Sequence, residues 1–170
     1  MNEFQTINVN LSNLSEEERK QLLELAKRSN KSPKKRWRAQ GDEKYYFIDS
    51  KGYIDSLTET NHTIDEHFYK VGNYFKTSEE AKFELNRRLV YQELKDYALE
   101  HNETDVDWSN PKSYKWFITY FYDEVGGVFT DFTCHCQGLG QIYFDSQKIA
   151  CDAIQSVGED RIKKYLFNIN

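Results

Sequence analysis

What the chain has little of sets the first limits. Only two prolines and eight glycines interrupt 170 residues, and 30% of the residues are charged, which describes a highly soluble chain. Three cysteines are an odd count without the spacing of a disulfide framework, as in a reducing cytoplasm. No apolar run approaches the ~20 residues needed to span a bilayer, so no membrane association is expected. The first residues, Met1-Asn2-Glu3-Phe4, have neither the basic nor the apolar part of a signal peptide. A chain this long can bury a core unaided, so no metal, disulfide or cofactor is required for folding. The expectation is a cytoplasmic protein with one compact domain, or one domain with a small appendage.

Aliphatic residues are also scarce. The apolar fraction is 38%, yet aromatics reach 15%, with twelve Tyr and eleven Phe. The core is therefore built from a few large rings, which suit pleated, half-buried strands. Net charge is −5, but residues 31–38 hold Lys31, Lys34, Lys35, Arg36 and Arg38 and no acid. A basic stripe on an acidic body can meet phosphate or an acidic partner.

The chain also says one thing twice. Tyr74-Phe75-Lys76-Thr77 and the eight residues after it align with Tyr143-Phe144-Asp145-Ser146 and the eight after those: Tyr, Phe and Ala match, and hydroxyl faces hydroxyl. Each copy follows an aromatic segment, Tyr46-Phe47-Ile48 in the first and Trp116-Phe117-Ile118 in the second. The predicted fold is α+β: two tandem related hairpin–strand–helix modules, antiparallel sheets with helices packed on them, preceded by an N-terminal helix. Residues 1–35 are read as that helix and a basic linker, 36–102 as the first module and 103–170 as the second, the two modules forming one domain. Two copies at this spacing suggest a pseudo-symmetric pair, not an array.

Local signals place the elements. Ser15 with Glu18, and Thr77 with Glu80, read as capping boxes that start helices. The first helix should end at Asn30 and Pro33, and the second should run to His101, long enough to project beyond a small sheet. Strands are predicted over 44–49, 53–57, 116–122 and 128–136, the last two turning at Glu124-Val125-Gly126-Gly127. Residues 58–67 read as a loop, and return strands are expected within 68–75 and over 142–144. Ser146 should cap a helix that stops near Gly158, with a short helix over 159–165 closing the chain. In the second hairpin Trp116, Ile118, Tyr120, Phe132, Cys134 and Cys136 share one face, and Phe117, Phe121 and Phe129 share the other. With both faces aromatic, one covers the core and the other meets a helix or a partner.

Chemistry-bearing residues are sparse. Cys134-His135-Cys136 in a strand offers two metal ligands on one face, with Cys151 a weak third and no fourth evident. The acids Glu103, Asp105 and Asp107, and then Asp123 and Glu124, sit in sequence that reads as turns and helix ends. Gly138-Leu139-Gly140 lacks the lysine of a phosphate loop and precedes a strand instead of a helix. An enzyme is not expected. Lys34, Lys35, Arg36, Trp37 and Arg38 combine phosphate-binding charge with a ring for stacking.

Several segments together carry a resemblance. They are Trp37 with Gly41-Asp42-Glu43-Lys44-Tyr45-Tyr46-Phe47-Ile48, Val71-Gly72-Asn73-Tyr74-Phe75-Lys76-Thr77-Ser78-Glu79-Glu80-Ala81, Gly140-Gln141-Ile142-Tyr143-Phe144, and Gly158-Glu159-Asp160-Arg161-Ile162-Lys163-Lys164-Tyr165. Over nearly all of its length after the first helix, the chain resembles a family of small uncharacterised proteins of phages and prophages of Gram-positive bacteria. The resemblance implies a phage accessory protein acting in the host cytoplasm and brings no catalytic residues with it. The function expected in that setting is binding and inhibition of a host protein or ribonucleoprotein complex, such as a CRISPR defence nuclease, through exposed aromatics. The alternative is nucleic-acid binding through the segment from Lys34 to Arg38.

Overall fold

The computed structural model describes residues 14–29, 35–104, 106–122 and 126–169. The chain divides between Trp37 and Arg38 into two units. The first holds α1 (Glu16–Ser29), whose capping box forms as expected. The Ser15 N–H donates to Glu18 Oε2 at 2.8 Å, and the Glu18 N–H donates to Ser15 Oγ at 3.3 Å. Leu22 is half-buried, while Leu23 and Leu25 are exposed. Asn30 and Pro33, the expected stop, lie outside the described residues.

The second unit is α+β. In order it holds β1 (Lys44–Ile48), β2 (Ile54–Thr58), α2 (Thr63–Lys70), α3 (Ser78–His101), β3 (Lys115–Phe121), β4 (Gly127–Thr133), α4 (Gln147–Val157) and α5 (Glu159–Leu166). The strands form two separate antiparallel hairpins, β1–β2 and β3–β4.

The duplication is visible in backbone hydrogen bonds. Tyr46 and Phe75 exchange N–H···O bonds of 2.9 and 2.8 Å, and Trp116 and Phe144 exchange a pair of 3.0 and 2.7 Å. Behind each bridge an amide side chain extends the pairing. Asn73 Nδ2 donates to the Ile48 carbonyl at 2.7 Å, and Gln141 Nε2 to the Ile118 carbonyl at 3.2 Å. Thr77 Oγ1 then accepts from the Glu80 N–H and Ser146 Oγ from the Ile149 N–H, both at 3.2 Å, so each bridge leads straight into a capped helix. Ala81 and Ala150, matched in the alignment, are both fully buried.

Three expectations are corrected. Both return strands shrink to the single bridges just named. The stretch read as loop and strand, 58–75, contains α2 instead; its first turn is closed by the His62 ring accepting from the Ile64 N–H and Asp65 accepting from the His62 N–H. It ends in a Schellman turn, with Gly72 at φ 75° and the Asn73 N–H donating to the Phe68 carbonyl at 3.0 Å. β4 stops at Thr133 because Thr133 Oγ1 accepts from the N–H groups of His135 and Cys136 and turns the chain out of the sheet. As expected, α3 runs on past the first hairpin. It touches β1 and β2, while Val90, Leu94 and Ala98 form one wall of the main core, facing Phe144, Ala150, Ala153, Ile154, Val157 and Ile162. One long helix thus serves both modules.

Candidate functional site

The most polar buried place is in the first module. Glu59 and Asp65 are each 1% exposed. Glu59 accepts from the Tyr74 hydroxyl at 2.7 Å, from Arg38 Nε at 3.1 Å and from the Asn61 N–H at 2.8 Å. Asp65 accepts from the Tyr45 hydroxyl at 2.8 Å, from the N–H groups of Thr60 and His62 at 3.0 Å, and from Thr60 Oγ1 at 3.1 Å. Burial alone pushes both carboxyls up, but these donors outweigh it, holding Glu59 below its ordinary range and Asp65 at about 2. Burial, and then the bonds to the carboxylates, push the Tyr45 and Tyr74 hydroxyls up. The two tyrosine rings stack at 3.9 Å. With every oxygen engaged, this is a knot that fixes the 59–66 segment to the hairpin.

The knot takes one residue out of the basic stripe. Arg38 is half-buried, with Nη1 2.6 Å from Glu66 Oε2, Nε on Glu59, and its guanidinium 5.0 Å from the Tyr69 ring centroid. Lys35 and Arg36 are exposed and Trp37 is half-buried, while Lys34 lies outside the described residues. Arg38 faces two carboxylates instead of presenting its charge to phosphate.

In the second module the β3–β4 register separates two faces as predicted. Ile118 opposite Thr130 and Tyr120 opposite Val128 lie under α4 and in the main core. Phe117 opposite Asp131, Thr119 opposite Phe129 and Phe121 opposite Gly127 form the other face. At its Lys115 end this face is closed. Lys115, 2% exposed, donates from Nζ to the carbonyls of Asn110 and Ser113, both at 2.8 Å, and lies 5.4 Å from the Trp108 ring centroid. Trp108 stands edge-on to Tyr143 at 5.0 Å, and Tyr143 edge-on to Phe117 at 6.1 Å. Toward the turn the face is open. Phe121 and Phe129, with ring centroids 5.7 Å apart, are 45% and 43% exposed. Gly127 makes this arrangement possible, since a Cβ there would lie 2.8 Å from Phe129 Cε2.

Cys134 is half-buried and Cys136 exposed, both past the end of β4, and the Cys151 thiol lies 3.8 Å from Thr130 Oγ1. Among the described residues no three His, Cys, Asp or Glu side chains are grouped to hold a metal ion. Asp105, Asp123 and Glu124, considered as carboxylate candidates, lie outside the described residues. One further feature has no signal in the sequence, an open groove of about 660 Å³ along α3, lined by Tyr91, Gln92, Lys95, Leu99, Asn102 and Gln141. Tyr91 closes one side of it by donating its hydroxyl to the Gly140 carbonyl at 3.0 Å. No described helix is long and apolar enough to cross a membrane. Set against family models, curated proteins and solved structures, the chain matches none of them.

Proposed function

We propose that this chain is a phage accessory protein that acts in the cytoplasm of the bacterial host, binding a host protein or ribonucleoprotein complex and blocking it by occupancy, as an anti-defence inhibitor does. The observation that carries the binding role is the open end of the β3–β4 face, where Phe121 and Phe129 stand exposed side by side on the same face as the half-buried Phe117. Clustered exposed aromatics are costly to leave in water and are the usual anchors of interfaces. The phage setting and the defence target are supported by the resemblance of the sequence alone. Nucleic-acid binding is the weaker reading, because Arg38 is held by Glu59 and Glu66.

The test is affinity capture from lysate of a Gram-positive host carrying an active CRISPR system, together with a phage interference assay. The wild-type chain should retain a stoichiometric host partner and relieve interference. The double variant Phe121→Thr/Phe129→Thr, which keeps strand-compatible side chains, should do neither while melting at a similar temperature. Capture and relief that are indifferent to this variant would overturn the assignment of the face.

A further inference from the structure

The two modules differ most in what lies over the outer face of each hairpin. Tyr46 and Trp116 hold the same place, since each exchanges two backbone hydrogen bonds with the phenylalanine that opens its return segment. One residue on, Phe47 therefore corresponds to Phe117. The strand opposite agrees, with Asp55 paired to Phe47 and Asp131 paired to Phe117. Even the carboxylates bend alike, Asp55 Oδ1 accepting from the Ser56 N–H and Asp131 Oδ1 from the Phe132 N–H, each at 2.7 Å.

In the first module α2 roofs this face. Phe68 stacks on Phe47 at 4.4 Å and lies 6.3 Å from Tyr45, and Asp65 of the same helix takes the Tyr45 hydroxyl. In the second module the described residues between β4 and Tyr143 form no helix. Phe117 has Tyr143 at its edge, but no described ring stacks on it as Phe68 does on Phe47. The longer strands β3 and β4 carry the same face on to Phe121 and Phe129. Of the two charged side chains on the face, Lys115 is committed to the carbonyls of Asn110 and Ser113, whereas Asp131 makes no ion pair among the described residues.

We propose that this vacated place receives an amphipathic helix of the partner protein. Such a helix sets a large apolar or aromatic side chain over Phe117 and Phe129, where Phe68 lies over Phe47 in the first module, and brings a lysine or arginine to Asp131. The inference rests on the reading of this face as the binding surface and adds what the partner presents. Charge supports it twice: Asp131 lacks a counter-ion within the described chain, and a chain of net charge −5 attracts a basic segment. The helix-in-groove mode supplies the spacing, since anchors at i and i+3 or i+4 share one helix face.

The test uses the full chain and a displayed library of helical peptides randomised on one face, with Phe121→Thr/Phe129→Thr as the counter-selecting variant. Enriched peptides should carry a large apolar or aromatic residue with Lys or Arg one turn away. A synthetic enriched peptide should lose about tenfold in affinity against Phe129→Thr and about threefold against Asp131→Asn, with a flatter salt dependence in the latter. Enrichment of extended peptides, peptides indifferent to Asp131→Asn, or covering of the face by a second copy of this chain would each overturn the helical occupant. If the peptides fail but Phe121→Thr/Phe129→Thr still abolishes capture of the host partner, the face stands as the binding surface and the helix is wrong. If both fail, both inferences fall.

Discussion

The Tyr45 hydroxyl donates to Asp65 Oδ1 at 2.8 Å, joining a fully buried residue of β1 to the first turn of α2. That one bond orients a carboxylate that also closes the helix cap through the His62 N–H and holds Thr60 by backbone and side chain. Glu59, beside it, ties Tyr74 to Arg38. The first module thus covers its aromatic face by fastening a short helix with buried charge, and among the described residues of the second no helix is fastened in this way.

Acid should loosen this knot before anything else. Asp65 is held at about 2, against about 3.9 for an unperturbed aspartate. A carboxyl whose folded value lies below its unfolded one contributes stability above the unfolded value, and loses it as pH falls through the folded value. Unfolding free energy should therefore fall between about pH 4 and pH 2, with Glu59, also lowered, adding to the loss. Asp65→Asn should be about 1–3 kcal/mol less stable at neutral pH and lose less on acidification. Urea melts at stepped pH would show this; parallel profiles for the two proteins would refute it.

The matched caps should be interchangeable in kind. Thr77→Ala and Ser146→Ala each remove an acceptor from a helix N-terminus and should each cost about 1 kcal/mol, whereas Thr77→Ser and Ser146→Thr should cost little. Thermal melts measure both. A negligible cost at one cap alone would mean that the two copies no longer use the same device.

Much of this fold was legible because its signals are local. The capping residues Ser15, Thr77 and Ser146, the glycine stop at Gly158 and the aromatic alternation of Trp116 to Phe121 all act within a few residues, and each lies where expected. α2 was missed because its N-cap is a histidine and its apolar face is Phe68-Tyr69, a pair that reads as strand; Asp65-Glu66 in the first turn and Gly72 beyond the end were the available cues. That Val90 joins Leu94 and Ala98 in the buried wall could not be read from α3 alone, because a second module selects which stripe of a long helix is buried. The exposed pair Phe121 and Phe129 was legible as a face, but its openness depends on a covering helix being absent, which no residue on the face records.

Loss of Arg38 from the basic stripe leads to a prediction against nucleic-acid binding. Its guanidinium is engaged by Glu59 and Glu66 and lies against the Tyr69 ring, and turning outward to phosphate would break those bonds. Single-stranded DNA and RNA should give no stable shift at about 150 mM salt, where a few exposed cations do not suffice. Arg38→Gln should instead act on folding, by about 1–3 kcal/mol, through the buried Glu59 it leaves unpaired. A shift at that salt which disappears with Lys35→Ala/Arg36→Ala would contradict this.

Gly127→Ala separates the shape of the aromatic face from its composition. Gly127 is buried and lies opposite Phe121, and its backbone is not in the left-handed region, so alanine meets no conformational penalty there. The new methyl would lie 2.8 Å from Phe129 Cε2 and 3.2 Å from Cζ, so the ring must swing aside while the strand stays in place. Because those atoms are the far end of a side chain already half in water, the cost in stability should stay below about 1 kcal/mol. Partner affinity should fall severalfold even though no aromatic residue has been removed, since anchors act through their placement in a packed surface. Titration calorimetry against the captured partner, beside a thermal melt, reads both quantities. Unchanged affinity with unchanged stability would mean that Phe129 is not an anchor and would move the binding surface off this face.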